Sequence, residues 1–269
     1  MAKTIFITGS TDGIGLATAR LLSAQGHHLL LHGRSPSKLA ATKNALSGSG
    51  RVATYLADLS QMSEVEALAK AVTNEHESLD VLINNAGVLS TPNVLTEDGL
   101  DVRFAVNTVA PYLLTQRLLP VLGKTGRVVN LSSAAQSPVD LDALIGKGRR
   151  LHDNTAYAQS KLALTMWSRH LALALQDTGP AIIAVNPGSL LATKMVREGY
   201  GVSGSDIGIG AGILVSAALD DAFAGASGQY FDNDAGDFAS PHRDALNPQK
   251  SQQLVNAVDT LLVRLGSRC

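Results

Sequence analysis

A doubly wound α/β domain, with a parallel sheet of about seven strands flanked by helices, is the fold class this sequence predicts. Three observations predict it. Short β-branched or apolar runs alternate with helical patterns along the chain. A glycine-rich turn joins the first strand pattern to the first helix pattern. The polar clusters that could do chemistry all follow strand C-termini, where open parallel sheets collect their ligands.

The strands are read in order at Thr4 to Thr8, His28 to His32, Val52 to Leu56, Val81 to Asn84, Arg127 to Leu131 and Ile182 to Asn186, with a further run at Gln229 to Phe231. Gly9, Gly13 and Gly15 follow the first strand, and Ile14, Leu16, Ala17, Ala19, Leu21 and Leu22 then repeat at helical spacing. The spacing G-x-x-x-G-x-G differs from the G-x-G-x-x-G fingerprint, yet such a turn brings backbone and a helix N-terminus close to a pyrophosphate. No repeat or linker divides the chain, so residues 1–269 are expected to form one domain. The segment 134–156 reads as an inserted loop near the active site, and 189–206 as a mobile substrate loop.

The 269 residues carry 45% hydrophobic side chains and a formal charge of −1, so bulk electrostatics gives no support to nucleic-acid binding. Cys269 is the one cysteine, which excludes an intrachain disulfide. No signal peptide or membrane-length apolar run is visible, and the richest helix pattern is interrupted by Ser168, Arg169 and His170. A cytoplasmic protein without a membrane partner is expected.

Tyr157 and Lys161 stand at i and i+4 and so share a helix face. Bringing a phenol from a pKa of about 10 to neutrality needs on the order of 4 kcal/mol of preferential phenolate stabilisation, and a fixed ammonium supplies part of it. Such a tyrosine can exchange a proton with the oxygen of an alcohol or carbonyl. The five-residue pattern alone arises often by chance, and its weight depends on what accompanies it.

Together, Thr8-Gly9-Ser10-Thr11-Asp12-Gly13-Ile14-Gly15, Asn84-Asn85-Ala86-Gly87, Ser132-Ser133, Tyr157 to Lys161 and Asn186-Pro187-Gly188 resemble the short-chain dehydrogenase/reductase family, in its order. The resemblance implies a Rossmann-type domain and a catalytic tetrad of Asn107, Ser133, Tyr157 and Lys161. It also implies that Lys161 holds a nicotinamide ribose and that Asn107 fixes a water linking Lys161 to solvent. Residues Ala134 to Ala156 separate Ser133 from Tyr157, a longer interval than in compact members. That loop and the ending Ala239-Ser240-Pro241 look like the retinol dehydrogenase branch, whose members often carry an N-terminal membrane anchor, whereas here the first strand begins almost at Met1.

The expected cofactor is NADP(H), with NAD as the alternative. His32-Gly33-Arg34 ends the second strand without the carboxylate that would favour NAD; Gly33 leaves room and Arg34 offers a planar fork for a 2′-phosphate, with Ser35 and Lys38 as weaker candidates. Asp12 opposes this by its charge. Further cofactor contacts are expected at Gly9 to Gly15, Asp58, Leu59, Asn85, Ala86, Gly87, Pro187, Gly188 and Thr193, with Asn84 tying strands together. For Asp58 and Thr193, helix-start roles compete.

These features predict hydride transfer between nicotinamide and substrate carbon, with Tyr157 exchanging the proton and Ser133 orienting the substrate oxygen. Expected pocket walls are Val88, Leu89, Gln136, Val139, Leu141, Leu190, Met195, Val196 and Tyr200, which suit a largely apolar carbonyl or alcohol; Lys147, Arg149 and Arg150 read first as a solvated basic face and second as a site for an anionic tail, and His152 as a solvent-exposed loop histidine before a substrate contact. Two other readings stand: a catalytically silent NADP-binding sensor or interaction protein, and a nucleotide-sugar epimerase or dehydratase. Gly123-Lys124-Thr125 fails as a phosphate loop because Leu118 replaces its first glycine, and Asp232 to Asp237 fails as a calcium loop because Arg243 replaces the final glutamate, leaving a polar loop and no expected metal. H-E-x-x-H and G-x-S-x-G are both missing. The segments Leu162 to Leu175 and Leu100 to Leu122 are apolar on more than one face, so a homodimer or a tetramer of dimers is expected over a monomer covered by the 134–156 loop.

Overall fold

Alternation along each strand sends side chains to opposite faces of one sheet, and helices cover both. In the computed structural model, which describes residues 1–46, 50–176 and 178–267, the sheet has eight strands in the order β3-β2-β1-β4-β5-β6-β7-β8. These are β1 (Thr4–Ile7), β2 (His28–Gly33), β3 (Val52–Leu56), β4 (Val81–Asn84), β5 (Arg127–Leu131), β6 (Ala181–Asn186), β7 (Tyr230–Asp232) and β8 (Asp237–Ala239). All neighbours pair in parallel except β7 with β8. The eighth strand goes beyond the expected seven. It follows a tight turn at Gly236 (φ 73°), and its three residues are too few to show alternation in the sequence.

Ile5 and Ile7 enter one core with Leu29, Leu31 and Ile83, while Phe6 enters the other with Leu30 and Leu82. The first core is closed by α1 (Gly13–Ala24) and α9 (Ile207–Leu219); the second by α3 (Met62–Glu75), α5 (Ala110–Leu122), α7 (Asp153–Ala174) and α10 (Pro248–Arg264). The chain steps outward from β1 to β3 and returns to place β4 on the other side of β1, so the turns after β1 and β4 adjoin where strand order reverses.

The apolar faces of α5 and α7 are largely covered within the chain, α5 by α3 and α7 by α10. Trp167 is fully buried and meets Tyr112 edge-on, with ring centroids 5.5 Å apart. Tyr112 donates to Asp259 of α10 at 2.8 Å. The 134–156 segment contributes the short helix α6 (Leu141–Leu144), and Arg264 of α10 donates to the Ile145 carbonyl at 2.6 Å. Much of the apolar surface from which assembly is expected is thereby covered, while Leu173 of α7 stays exposed.

His32 joins three elements near the strand ends. Its Nδ1 accepts from Gly9 N at 3.2 Å and its Nε2 lies 3.0 Å from the Ala57 carbonyl, an arrangement only the neutral Nε2–H tautomer satisfies. Burial drives its pKa down from 6.5 to about 4. Between those values the unfolded imidazole binds a proton that the folded one refuses, so stability falls as pH drops through the window. The loss should reach roughly 3 kcal/mol from this side chain. Denaturant unfolding of the parent and His32→Gln at the two ends of the window checks this: the parent should lose more, and equal losses would remove the assignment.

Candidate active site

Glycines shape the turn after β1 for different reasons. Gly9 has φ 63°, and a Cβ there would stand 3.0 Å from Ala86 Cα. A Cβ on Gly15 would lie 2.3 Å from the Gly9 carbonyl oxygen, so this glycine is needed for close packing. Gly13, at φ 56°, opens α1 with only the Thr193 methyl near its Cβ position, at 3.9 Å. The first turn of α1 thus faces an accessible gap with its partial positive charge, as a pyrophosphate requires.

The side chains of several expected cofactor residues hold the turn itself. Ser10 is fully buried and donates to the His32 carbonyl at 3.1 Å. Asn85 donates through Nδ2 to the carbonyls of Thr8 at 2.8 Å and Gly9 at 3.0 Å, and the Thr8 hydroxyl accepts from Asn85 N and Ala86 N. Ile14 packs toward α9 at Gly210, and Leu59 is buried in the core. Asp58 accepts from Ser60 N at 2.9 Å, the turn geometry that leads into α3. Asn84 ties β4 to β5 through Asn130 at 2.8 Å, as expected.

At the end of β2, Arg34 is exposed. Gly33 makes room for Thr11 rather than for a ligand, since a Cβ would stand 2.9 Å from the Thr11 methyl. Asp12 caps α1 by accepting from Gly13 N and pairs with Lys38 at 3.0 Å, both side chains being more than half exposed. The Lys38 hydrogen bond holds the Asp12 carboxyl below its ordinary pKa. Asp12 and Lys38 therefore offset each other locally.

Helix α7 brings Tyr157 and Lys161 to the strand ends. Tyr157 is half-buried, and Lys161 is buried with its Nζ 5.6 Å from the Tyr157 ring centroid. Lys161 donates to the Leu131 carbonyl at 2.7 Å, and burial lowers its pKa from 10.5 to about 8. A Cβ on Gly87 would lie 3.6 Å from that Nζ and 3.4 Å from Asn107 Oδ1, so glycine keeps the space beside the ammonium open. The residues present fit a nicotinamide dinucleotide: a glycine turn at a helix N-terminus, the space at Gly87 and a buried ammonium.

Asn107 lies in a π turn, Ala105–Val109. Its side chain is fully engaged: Nδ2 donates to the Val88 carbonyl at 2.9 Å and Ser160 Oγ at 3.0 Å, and Oδ1 accepts from Val88 N at 2.8 Å. Pro111 has no N–H to give back to the Asn107 carbonyl. Of the two serines after β5, Ser132 is buried against Thr165 at 2.6 Å. Ser133 is half-buried and its Oγ accepts from Ala135 N at 3.1 Å, leaving its hydroxyl hydrogen to point elsewhere.

Sequence reading missed the groups that fix these positions. The Ser133 carbonyl accepts from Tyr230 at 3.1 Å and Gln136 at 3.0 Å, which makes Gln136 a clamp. Asp234 accepts from Asn186 at 2.9 Å and from both Ser189 N and Oγ, and Asn233 donates to the Pro187 carbonyl at 2.9 Å. These bonds hold the Pro187-Gly188 turn, where Gly188 has φ 119°. Thr193 caps α8 (Lys194–Tyr200) by accepting from Val196 N at 3.1 Å. A cleft of about 640 Å³ opens beside the start of α7, lined by Leu89, Ser90, Arg150, His152, Asp153 and Glu198 among others. Its rim is more charged than the expected walls; Val88, Val139 and Leu141 pack on the core, and the Tyr200 side chain lies outside the described residues. Among the described residues no helix is long and apolar enough to cross a membrane.

Comparison with known proteins agrees with this arrangement. The family model for short chain dehydrogenase matches residues 3–200. Human retinol dehydrogenase 13 is 35% identical over 210 residues, covering 76% of this chain and 63% of that protein, so the matched part spans about three fifths of that relative. A crystal structure of an uncharacterised protein from Mycobacterium paratuberculosis superposes with a TM-score of 0.82 at 28% identity, covering 96% and 92% of the two chains. The Pseudomonas aeruginosa RhlG/NADP active-site complex superposes with a TM-score of 0.71 at 25% identity, covering 88% and 96%. A glycine turn at the reversal of strand order, a tyrosine one turn from a buried lysine and a family match over most of the fold have one explanation: this chain belongs to the short-chain dehydrogenase family, in its retinol dehydrogenase-like branch.

Proposed function

We propose that the protein is an NADP(H)-dependent oxidoreductase that interconverts a carbonyl and an alcohol, with Tyr157 as proton donor and acceptor. The observation that carries this reading is the buried Lys161 ammonium beside the half-buried Tyr157 ring. A bound nicotinamide supplies or accepts the hydride. Tyr157 gives its phenol proton to the substrate oxygen during reduction and takes it back during oxidation. Ser133, whose Oγ already accepts from Ala135 N, directs its hydroxyl hydrogen to the same oxygen. Lys161 uses one N–H at Leu131 and offers the others to the ribose hydroxyls while favouring the phenolate. Because the Asn107 side chain is committed to Val88 and Ser160, its carbonyl is the group we assign to the water that leads from Lys161 to solvent.

The substrate we infer has an apolar body and one reactive carbonyl or primary hydroxyl. The name of the human relative, a retinol dehydrogenase, supports it. Retinal and nonanal are suitable probes, followed by the absorbance of NADPH. Tyr157→Phe should lower turnover about a hundredfold or more with NADPH affinity retained, the range for removing a general acid. Lys161→Met should lose both. A Tyr157→Phe variant that turns over like the parent excludes the phenol as acid, and a parent that binds NADPH but reduces no carbonyl in a broad panel favours a silent binding protein.

The preference for NADPH rests on Arg34 at the end of β2, the lack of an acid there, the offset of Asp12 by Lys38 and the NADP complex of the Pseudomonas neighbour. Arg34→Ala should weaken NADPH by about 1.5–3 kcal/mol, the value of a charge-assisted contact, and leave NADH nearly unchanged. Equal losses for both cofactors would show that Arg34 does not read the 2′-phosphate.

With α3 seated on α5 and α10 on α7, we further propose a monomer, in place of the dimer the helix patterns suggest. Light scattering at micromolar concentration should give a mass near 28.0 kDa. Twice that mass would place the interface on another face.

A further inference from the structure

Two helices run side by side at the site, joined by two sets of polar contacts. The upper set is Asn107 to Ser160 at 3.0 Å, with the Thr108 hydroxyl on the Ser160 carbonyl at 2.9 Å. The lower set is an ion triad. Arg103, one helical turn before Asn107, has a guanidinium with no exposed surface. It grips Asp101 with two parallel bonds, Nε to Oδ1 at 2.8 Å and Nη2 to Oδ2 at 2.6 Å. Its Nη1 donates to Asp153 at 2.5 Å and to the Leu89 carbonyl at 3.4 Å. Asp153 is the first residue of α7, one turn before Tyr157. Tyr157 therefore lies between the two sets, and Ser160 of the upper set also donates to the Tyr157 carbonyl at 2.7 Å.

We propose that Arg103, acting through Asp153, is a positioning residue for Tyr157: it fixes the first turn of α7 against the 88–90 loop and so sets the height of the phenol over the reacting oxygen. This deepens the proposed function and rests on Tyr157 being the proton donor. Apolar packing often serves stability as well as a buried ion pair does, whereas a guanidinium fixes direction as well as distance. The triad sits where three segments meet, those carrying Asn107, Tyr157 and the Leu89 wall of the cleft. The Asp153 carboxyl is pushed up by burial, but Arg103 outweighs this and holds it below its usual range.

Asp153 is the site to vary, because its side chain is 40% exposed and Asp153→Asn keeps its shape. Rates are read as single turnovers of NADPH with saturating retinal or nonanal, counted per bound NADPH so that unfolded protein does not contribute. Asp153→Asn should slow this step about tenfold or more, the scale of a misplaced reacting group, with NADPH affinity within about twofold of the parent. Arg103→Lys should be slowed as much, since an ammonium cannot span both carboxylates; if that variant does not fold, Asp153→Asn alone decides. An unchanged rate in Asp153→Asn, even with a lower thermal midpoint, overturns the proposal, and so does a change confined to KM, which would make Asp153 only a wall of the cleft. Tyr157→Phe is measured alongside. If it keeps the parent rate, the reading of Tyr157 has failed; if it is silent while Asp153→Asn is not slowed, the positioning role alone has failed.

Discussion

The constraint on which the rest of the structure depends is the burial of one ammonium. Lys161 is removed from water at the end of β5, with the Leu131 carbonyl as its close hydrogen-bond acceptor. Its lowered pKa of about 8 corresponds to roughly 3 kcal/mol of disfavour toward the charged form. At neutral pH the side chain still carries its proton, and the fold bears that cost. Bringing Nζ to the strand end requires α7 to lie close on the sheet and on the preceding helix. Small and polar residues make that approach possible: Ser160, Ala163 and Thr165 on α7 are buried, and Thr165 and Ser168 return their hydroxyls to carbonyls one turn back. Asn130 reaches Ser168 at 2.8 Å and Asn84 reaches Asn130, so a chain of buried polar contacts joins α7 to β5 and β4.

The cofactor end obeys the opposite electrostatic rule. There the buried titratable group is His32, and burial keeps it neutral. A neutral imidazole can accept from Gly9 N and donate to Ala57 at once, which couples the glycine turn to the end of β3. A cation in its place could not accept from Gly9. Charge at this end is instead placed at the surface, on Arg34 and in the Asp12–Lys38 pair, where water screens it and a ligand can reach it.

What the sequence made legible has a periodic or local signature. Strand runs such as Arg127 to Leu131 alternate or stay apolar, the glycines cluster within seven residues, and Tyr157 and Lys161 are one turn apart. What stayed hidden depends on partners far along the chain. His32 meets residues 23 and 25 positions away, Arg103 meets Asp153 across 50, and Tyr230 meets Ser133 across 97. No window of sequence contains both members of such a pair. Glycine roles suffered similarly: Gly33 suggested space for a phosphate, but its missing Cβ is filled by Thr11, a neighbour known only once β1 and β2 are side by side.

The part of the chain beyond the family match shows why function extends past the motifs. The matched region ends at residue 200, yet residues after it hold the turns of the candidate site in place. Tyr230 clamps the Ser133 carbonyl, and Asp232, Asn233 and Asp234 bind Asn186, Ser189 and Pro187 around the Pro187-Gly188 turn. The segment that fails as a calcium loop thus gives its carboxylates to protein N–H and O–H groups. Helix α10 then covers the helix that carries Tyr157 and Lys161, replacing water on its outer face with Leu254, Val258 and Leu261. For the chemistry proposed above, Ser133, Tyr157 and Lys161 each need one orientation. In this chain that orientation is fixed largely by residues no motif names, so substitutions there change the geometry of the site while leaving every motif intact.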